Sequence, residues 1–210
     1  DLNVMRQTLL FSGLESIAYN QNRKNEDLKI YEFGKTYIAI KGNDKTKYVE
    51  SKHLSLFVTG RKQEEIWNSI NDNVNFYTLK GIVNAIVERL GIKNLKSSEL
   101  SNDAFSYGLS YALNKTTLVE FGAVAKPVLK NMDIKQEVFY ADFNWDAIIE
   151  AVKKTNVMYT EVPKFPEVRR DLALLIDKAI KFEQLEQLAY QSEKGLLKNV
   201  NLFDVYEGDK

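Results

Sequence analysis

At 210 residues the chain is long enough for one large domain, or for one domain and part of another, each with a buried core. Hydrophobic side chains at 44% against 28% charged exclude a disordered chain, and 29 basic residues matched by 29 acidic ones remove any whole-chain electrostatic argument for nucleic acid. The absence of cysteine excludes disulfides and thiolate metal sites, which fits a reducing compartment. No apolar run approaches the ~18 residues that span a bilayer, so cytoplasm is the expected location.

In chain order, Leu9, Leu10, Leu14, Ile17 and Ala18 fall on one stripe of a helix within the first twenty residues. An opening without a strand or cap suggests a chain that starts inside a longer protein. Gln21 to Asp27 reads as a loop. Leu28 to Phe33 alternates as a strand, Gly34 permits a bend, and Thr36 to Ile40 continues into a hairpin through Gly42-Asn43-Asp44. Lys52 to Gly60, with Leu54, Leu56 and Val58 in alternation, is a second strand with one face buried. The clearest helix runs from Phe76 to Gly91, where Phe76, Leu79, Ile82, Val83, Ile86, Val87 and Leu90 recur at helical spacing and the glycine marks the end. Phe105 to Leu113 and Thr117 to Val124 form a hairpin turned at Asn114-Lys115. Pro127 can open a short helix, Glu137 to Phe143 alternates as a strand, and Trp145 to Lys153 is helical. These strands read as antiparallel, and residues 154–164, polar and holding Pro163, mark a domain boundary. Beyond it, Pro166 leads into a strand at 168–177, a helix follows, and Val200 to Gly208 reads as a further strand.

Few residues carry obvious chemistry. His53 is the only histidine, so neither a His/Cys metal cluster nor a histidine-dependent triad can be assembled. There is no Walker pattern and no Gly-x-Gly-x-x-Gly run. Glu32 could be an acid in a cleft, with a structural strand residue as the plainer reading. Arg169 and Arg170 could contact phosphate, since guanidinium forks match its geometry, although Asp171 beside them offers a local ion pair. Phe203 and Tyr206 could stack on RNA bases or simply fill a core. From Glu161 onward acidic side chains outnumber basic ones, so composition does not point to RNA.

Lys164-Phe165-Pro166-Glu167-Val168-Arg169-Arg170-Asp171-Leu172-Ala173-Leu174, followed by Leu197 to Gly208, resembles the opening half of the ferredoxin-like anticodon-binding domain of bacterial phenylalanyl-tRNA synthetase beta subunits. Upstream, Val4 to Leu10 with Gly13-Leu14, then Leu28 to Gly34, then Phe76 to Val83 resemble the catalytic-like domain of the same family in the same order. The resemblance covers nearly the whole chain.

That resemblance implies an α+β fold. Residues 1–160 would be a class II aminoacyl-tRNA synthetase-like antiparallel sheet with flanking helices, catalytic-like but non-catalytic. Residues 161–210 would be a truncated ferredoxin-like β-α-β, the first half of the anticodon-binding domain. In such a fold the third strand lies between the first two, so the segments at 168–177 and 199–206 would lack a mutual partner and leave an apolar edge. The family further implies an assembly of two alpha and two beta subunits that joins phenylalanine to its tRNA with ATP and Mg2+, with the chemistry in alpha and no membrane involved. The strand matching the family's ATP strand is Tyr140-Ala141-Asp142-Phe143-Asn144, which holds no arginine, and near Glu32 there is Lys35 but no Arg-x-Glu pattern. No catalytic or metal residue and no bound cofactor are therefore expected on this piece, whose role would be to scaffold alpha and begin tRNA binding. Arg169, Arg170 and Lys198 are the RNA-binding candidates, chosen for charge near the motif. Two rival readings are a stand-alone ligase of the biotin/lipoate type and a protein-interaction module, using the helix at 76–90, that never meets RNA.

Overall fold

The computed structural model describes residues 4–41, 46–68, 70–153, 159, 161–162, 164–206. The chain divides into two compact units, Asp1–Tyr159 and Thr160–Lys210.

In the first unit, helix α1 (Leu10–Gln21) precedes a long antiparallel pair, β1 (Leu28–Lys41) and β2 (Thr46–Thr59). Helix α2 (Phe76–Arg89) follows, then β3 (Lys96–Glu99), β4 (Phe105–Leu113), β5 (Thr116–Val124), α3 (Lys126–Asn131), β6 (Val138–Asn144) and α4 (Trp145–Val152). The six strands make one antiparallel sheet in the order β1-β2-β6-β5-β4-β3. Local chemistry sets several boundaries. Asn75 accepts a hydrogen bond from the Thr78 backbone N–H and donates its own N–H to the Thr78 hydroxyl, which starts α2 with a reciprocal cap. Gly91, at φ +68°, ends it, and Asn114, at φ +57°, turns the β4–β5 hairpin.

Both faces of the sheet are covered. Leu54, Leu56, Val58, Phe121, Phe139 and Phe143 pack with Leu79, Val83 and Val87 of α2 and Ile148 of α4. On the opposite face Phe57, Val124, Val138 and Tyr140 pack with Leu10, Leu14 and Ile17 of α1 and Leu129 of α3. Each such buried aliphatic side chain contributes roughly 1.5–3 kcal/mol, so a two-sided core stabilises the sheet far more than one helix layer could. The 52–60 segment therefore differs from the expectation of one buried face: Leu54, Ser55, Leu56, Phe57, Val58 and Thr59 are all buried, because helices lie on both sides. Gly34 also departs from its expected role. β1 stays paired with β2 straight through it, and a Cβ there would run into Arg6 and Leu9, so the glycine serves close approach and not a bend. β3 was not foreseen, since Lys-Ser-Ser-Glu has no apolar alternation. It is a strand because the free edge of β4 supplies its hydrogen bonds. The expected turn at Gly42-Asn43-Asp44 lies outside the described residues.

In the second unit the regular element among the described residues is helix α5 (Phe182–Ser192). The segments expected as strands, 168–177 and 200–206, form no ladder, and Glu207 and Gly208 lie outside the described residues. The physical reason is that a strand is held by a neighbour's backbone groups, and neither segment has a paired neighbour among the described residues.

Candidate functional site

The sheet register assembles a row that no single strand discloses. Glu32 of β1 stands opposite Ser55 of β2, Ser55 opposite Asp142 of β6, Asp142 opposite Glu120 of β5, Glu120 opposite Ser110 of β4, and Ser110 opposite Ser98 of β3. Directly opposed residues share a face, so a polar band crosses all six strands on the α1 side. One step along each strand pair, that face changes character. Phe57 and Tyr140 lie 4.8 Å apart, Phe105 stacks on Tyr140 at 5.8 Å, and α1 closes over them. The floor that could hold a ligand is thus half filled by aromatic rings and half lined by carboxylates and hydroxyls.

Arg6 donates to Glu32 at 2.6 Å and to the Lys35 carbonyl at 3.0 Å, while the Ser12 hydroxyl donates to Glu32 at 3.3 Å. Glu32 is therefore an anchored acid, and its side chain remains 36% exposed. His53 Nδ1 lies 2.8 Å from Asp142 Oδ1, and the Lys52 N–H donates to Asp146 at the start of α4. The Tyr140 hydroxyl is buried close to the Thr8 side chain. Burial, reinforced by the negative charge of Asp142, pushes it far above the ordinary tyrosine value, with Glu120 and Glu32 acting the same way and nearby Thr8 opposing them.

The bond to Asp142 raises the His53 pKa above the usual histidine range, against the opposing effect of burial. A raised folded-state value means that the stability His53 contributes is complete below about 6.5 and is lost as pH rises through the folded value. Because His53 is the single histidine, its ring resonance is unambiguous in an NMR titration. We expect a midpoint above 6.5 that falls back in Asp142→Asn, together with a stability advantage over His53→Ala that shrinks between pH 6 and 8. A midpoint that Asp142→Asn leaves in place removes the Asp142 bond as its cause.

β6 turns Tyr140, Asp142 and Asn144 toward the α1 face, none of them a cation. Arg6 is paired with Glu32, Arg61 with Asp27 at 2.7 Å, and Lys35 with Glu50 at 2.6 Å. The Arg61 backbone N–H and guanidinium together hold the Asp27 carboxyl below its usual range.

The charges singled out in the second unit all lie at its surface. Arg169 places its guanidinium 5.6 Å from the Phe203 ring centre and 3.5 Å from Asp171, so two segments far apart in sequence meet at a cation and an exposed ring. Arg170 and Lys198 are exposed and are not held in an ion pair among the described residues. Phe203 and Tyr206 are also exposed, in contrast to the core role that was the plainer reading of each. The carboxylate row was missed by sequence reading, although its members sit at alternating strand positions that mark them as facing one way. Only the register shows that the strands line them up.

No helix among the described residues is long and apolar enough to cross a membrane. The family model described as the phenylalanyl tRNA synthetase beta chain CLM domain matches residues 1–145, and that of the ferredoxin-fold anticodon binding domain matches residues 163–210. The chain is 49% identical to the phenylalanine–tRNA ligase beta subunit of Bacteroides thetaiotaomicron, over 99% of this chain and 26% of that protein. It is 37% identical to the same subunit of Porphyromonas gingivalis, over 99% of this chain and 26% of that protein. It thus spans about a quarter of the length of these relatives. Among solved structures, pyrrolysyl-tRNA synthetase from Desulfitobacterium hafniense superposes with a TM-score of 0.54 at 14% identity, covering 71% of this chain and 50% of that one, a likeness of fold alone. The antiparallel sheet is accordingly class II synthetase-like, and, with one model spanning more than half its length and the second following in order, this chain belongs to the phenylalanyl-tRNA synthetase beta chain family.

Proposed function

We propose that residues 1–160 are the catalytic-like but non-catalytic domain of a phenylalanine–tRNA ligase beta subunit, and that residues 161–210 open its anticodon-binding domain. The whole enzyme joins phenylalanine to its tRNA using ATP and Mg2+, in the cytoplasm, as an assembly of two alpha and two beta subunits. In this reading the chemistry belongs to alpha. The observation that carries it is the pairing of the two family matches with a sheet whose nucleotide-facing strand presents Tyr140, Asp142 and Asn144 where a triphosphate needs cations. A scaffold role is supported by the outer face of β1, where exposed Tyr31 and Phe33 extend the apolar side of the sheet and Phe33 meets Trp145 edge-on at 4.9 Å.

Arg169, Arg170 and Lys198 are the proposed RNA contacts. In the complete enzyme, the Arg169→Ala/Arg170→Ala/Lys198→Ala beta subunit is expected to bind tRNA more weakly at low salt. Its plot of log affinity against log salt should flatten by about 0.7–0.9 for each phosphate that the variant no longer neutralises. Formation of the aminoacyl adenylate should stay at the wild-type rate. Unchanged affinity and slope would remove these residues from the RNA interface, and copurification with alpha without a tRNA footprint on this region would favour a pure interaction module. Titration of ATP into the chain followed by calorimetry tests the biotin/lipoate-ligase alternative, which stoichiometric binding would revive.

A further inference from the structure

We propose that the outward end of the β1–β2 hairpin is a sequence-independent contact for unpaired RNA, with Tyr37 and Tyr48 as stacking rings and Lys35, Lys41 and Lys52 on the phosphates. β2 is paired with β6 only from His53 to Thr59, whereas its pairing with β1 runs on from Lys35–Lys52 to Lys41–Thr46. Seven residue pairs therefore form a two-stranded arm past the sheet, with no third strand beside them among the described residues. Its root is held by the Tyr37 N–H donating to the Arg6 carbonyl and the Lys52 N–H donating to Asp146. A two-stranded ribbon is marginal in water by itself, so an arm of this length points to a ligand laid along it.

The register sorts the arm into two unlike faces. Ile38, Ile40 and Val49 lie on the side of the carboxylate row, while Lys35, Tyr37, Lys41, Tyr48, Glu50 and Lys52 lie on the other. On that second face Lys35 stands directly opposite Lys52, and Tyr37 diagonally across from Tyr48, with Lys41 beyond them toward the tip. Glu50 is the one acid on it among the described residues and is taken by Lys35 at 2.6 Å. Lys41 and Lys52 are left exposed with no ion pair among the described residues, and Tyr48 is 70% exposed. Directly opposed like charges are disfavoured, and Glu50 offsets only one of the two lysines, so an anion completes the face. Rings alternating with cations suit a single strand, because every base offers a face for stacking and every phosphate a negative charge. The Ile38–Ile40 side would suit a protein surface, whereas the uncompensated positive charge beside Tyr37 and Tyr48 selects a polyanion. Zero net charge over the whole chain conceals this local excess. The natural strand would be an unpaired part of the tRNA, an identity that rests on the function proposed above.

The test uses the full chain with labelled oligouridylate as probe, and an RNA duplex of the same length and polyglutamate as controls, read by fluorescence anisotropy. Oligouridylate is expected to bind more tightly than either control. Lys41→Ala/Lys52→Ala should weaken it at low salt and flatten the plot of log affinity against log salt by about 1.4, or about 0.7 for each phosphate released. Tyr48→Ala should weaken it about fivefold or more, while Tyr48→Phe, which keeps the ring, should bind as the wild type does. Thermal melts of the three variants should match the wild type, since the altered side chains are exposed. No binding, an equal response to polyglutamate, or an unchanged affinity in Tyr48→Ala or in the lysine pair would overturn the proposal. Variants that keep full RNA affinity but no longer copurify with alpha would assign the arm to a protein contact instead. Binding weakened only by Arg169→Ala/Arg170→Ala/Lys198→Ala would overturn the role of the arm and leave the function proposed above in place.

Discussion

Phe57→Ala is expected to lower the unfolding free energy of the sheet unit by about 3–5 kcal/mol, the range for truncating a fully buried phenylalanine. For a unit of this size that corresponds to a fall in Tm of roughly 10 °C. The ring is 1% exposed, stacks against Tyr140, and lies directly under Gly13 of α1. A Cβ at Gly13 would enter the Phe57 ring, so α1 reaches the sheet only because that position is glycine. Gly13→Ala alone should therefore cost about 1–3 kcal/mol through overpacking. In the Phe57→Ala background the clash is gone, and the same alanine should help, because alanine exceeds glycine by about 1 kcal/mol in a helix. Denaturant unfolding of the four proteins of this cycle measures the coupling. Additive single and double effects would show that helix and ring do not touch.

Gly122→Val should weaken the fold by a different route. Gly122 of β5 is directly paired with Gly108 of β4, and a side chain at 122 would run into the Tyr107 carbonyl and the Gly108 Cα. Those are backbone atoms, which cannot rotate aside, so β4 must move away from β5. We expect a loss at or above the upper end of about 1–3 kcal/mol, with amide exchange faster in β3 and β4 than in β1 and β2. Gly81, whose added Cβ would meet nothing within 4 Å, is the control: alanine there should stabilise α2. Equal behaviour of the two glycine variants would contradict the close approach of β4 and β5.

Much of the first unit was legible in the chain because its signals are local. The stripe from Phe76 to Leu90 can only be amphipathic as a helix, and Asn114-Lys115 between two apolar runs can only turn tightly. The lapses have one kind of cause. Lys96 to Glu99 has no strand pattern, and it pairs because β4 has a free edge. Leu54-Ser55-Leu56-Phe57-Val58-Thr59 looked half-buried because Ser55 and Thr59 are polar, yet both are fully covered, Thr59 by donating its hydroxyl to the Glu137 carbonyl. The segment 168–177 has the composition of a buried strand but no paired neighbour among the described residues, so composition did not become structure.

The candidate site divides the same way. That no histidine-cysteine cluster, phosphate loop or strand arginine is available follows from residue types, and these are properties of the sequence alone. So are the ordered motifs from Val4 to Gly208 that carry the family resemblance. Which acids face one another was decided by the sheet. Glu32, Glu120 and Asp142 are separated by tens of residues, and they share a band only because backbone hydrogen bonding fixes the register of four antiparallel strands. The burial of the Tyr140 hydroxyl is likewise invisible until Phe57, Phe105 and α1 close around it. Side-chain chemistry and short-range periodicity are written residue by residue. Proximity across strands arises when long-range pairing brings those residues together, and only the tertiary structure determines that.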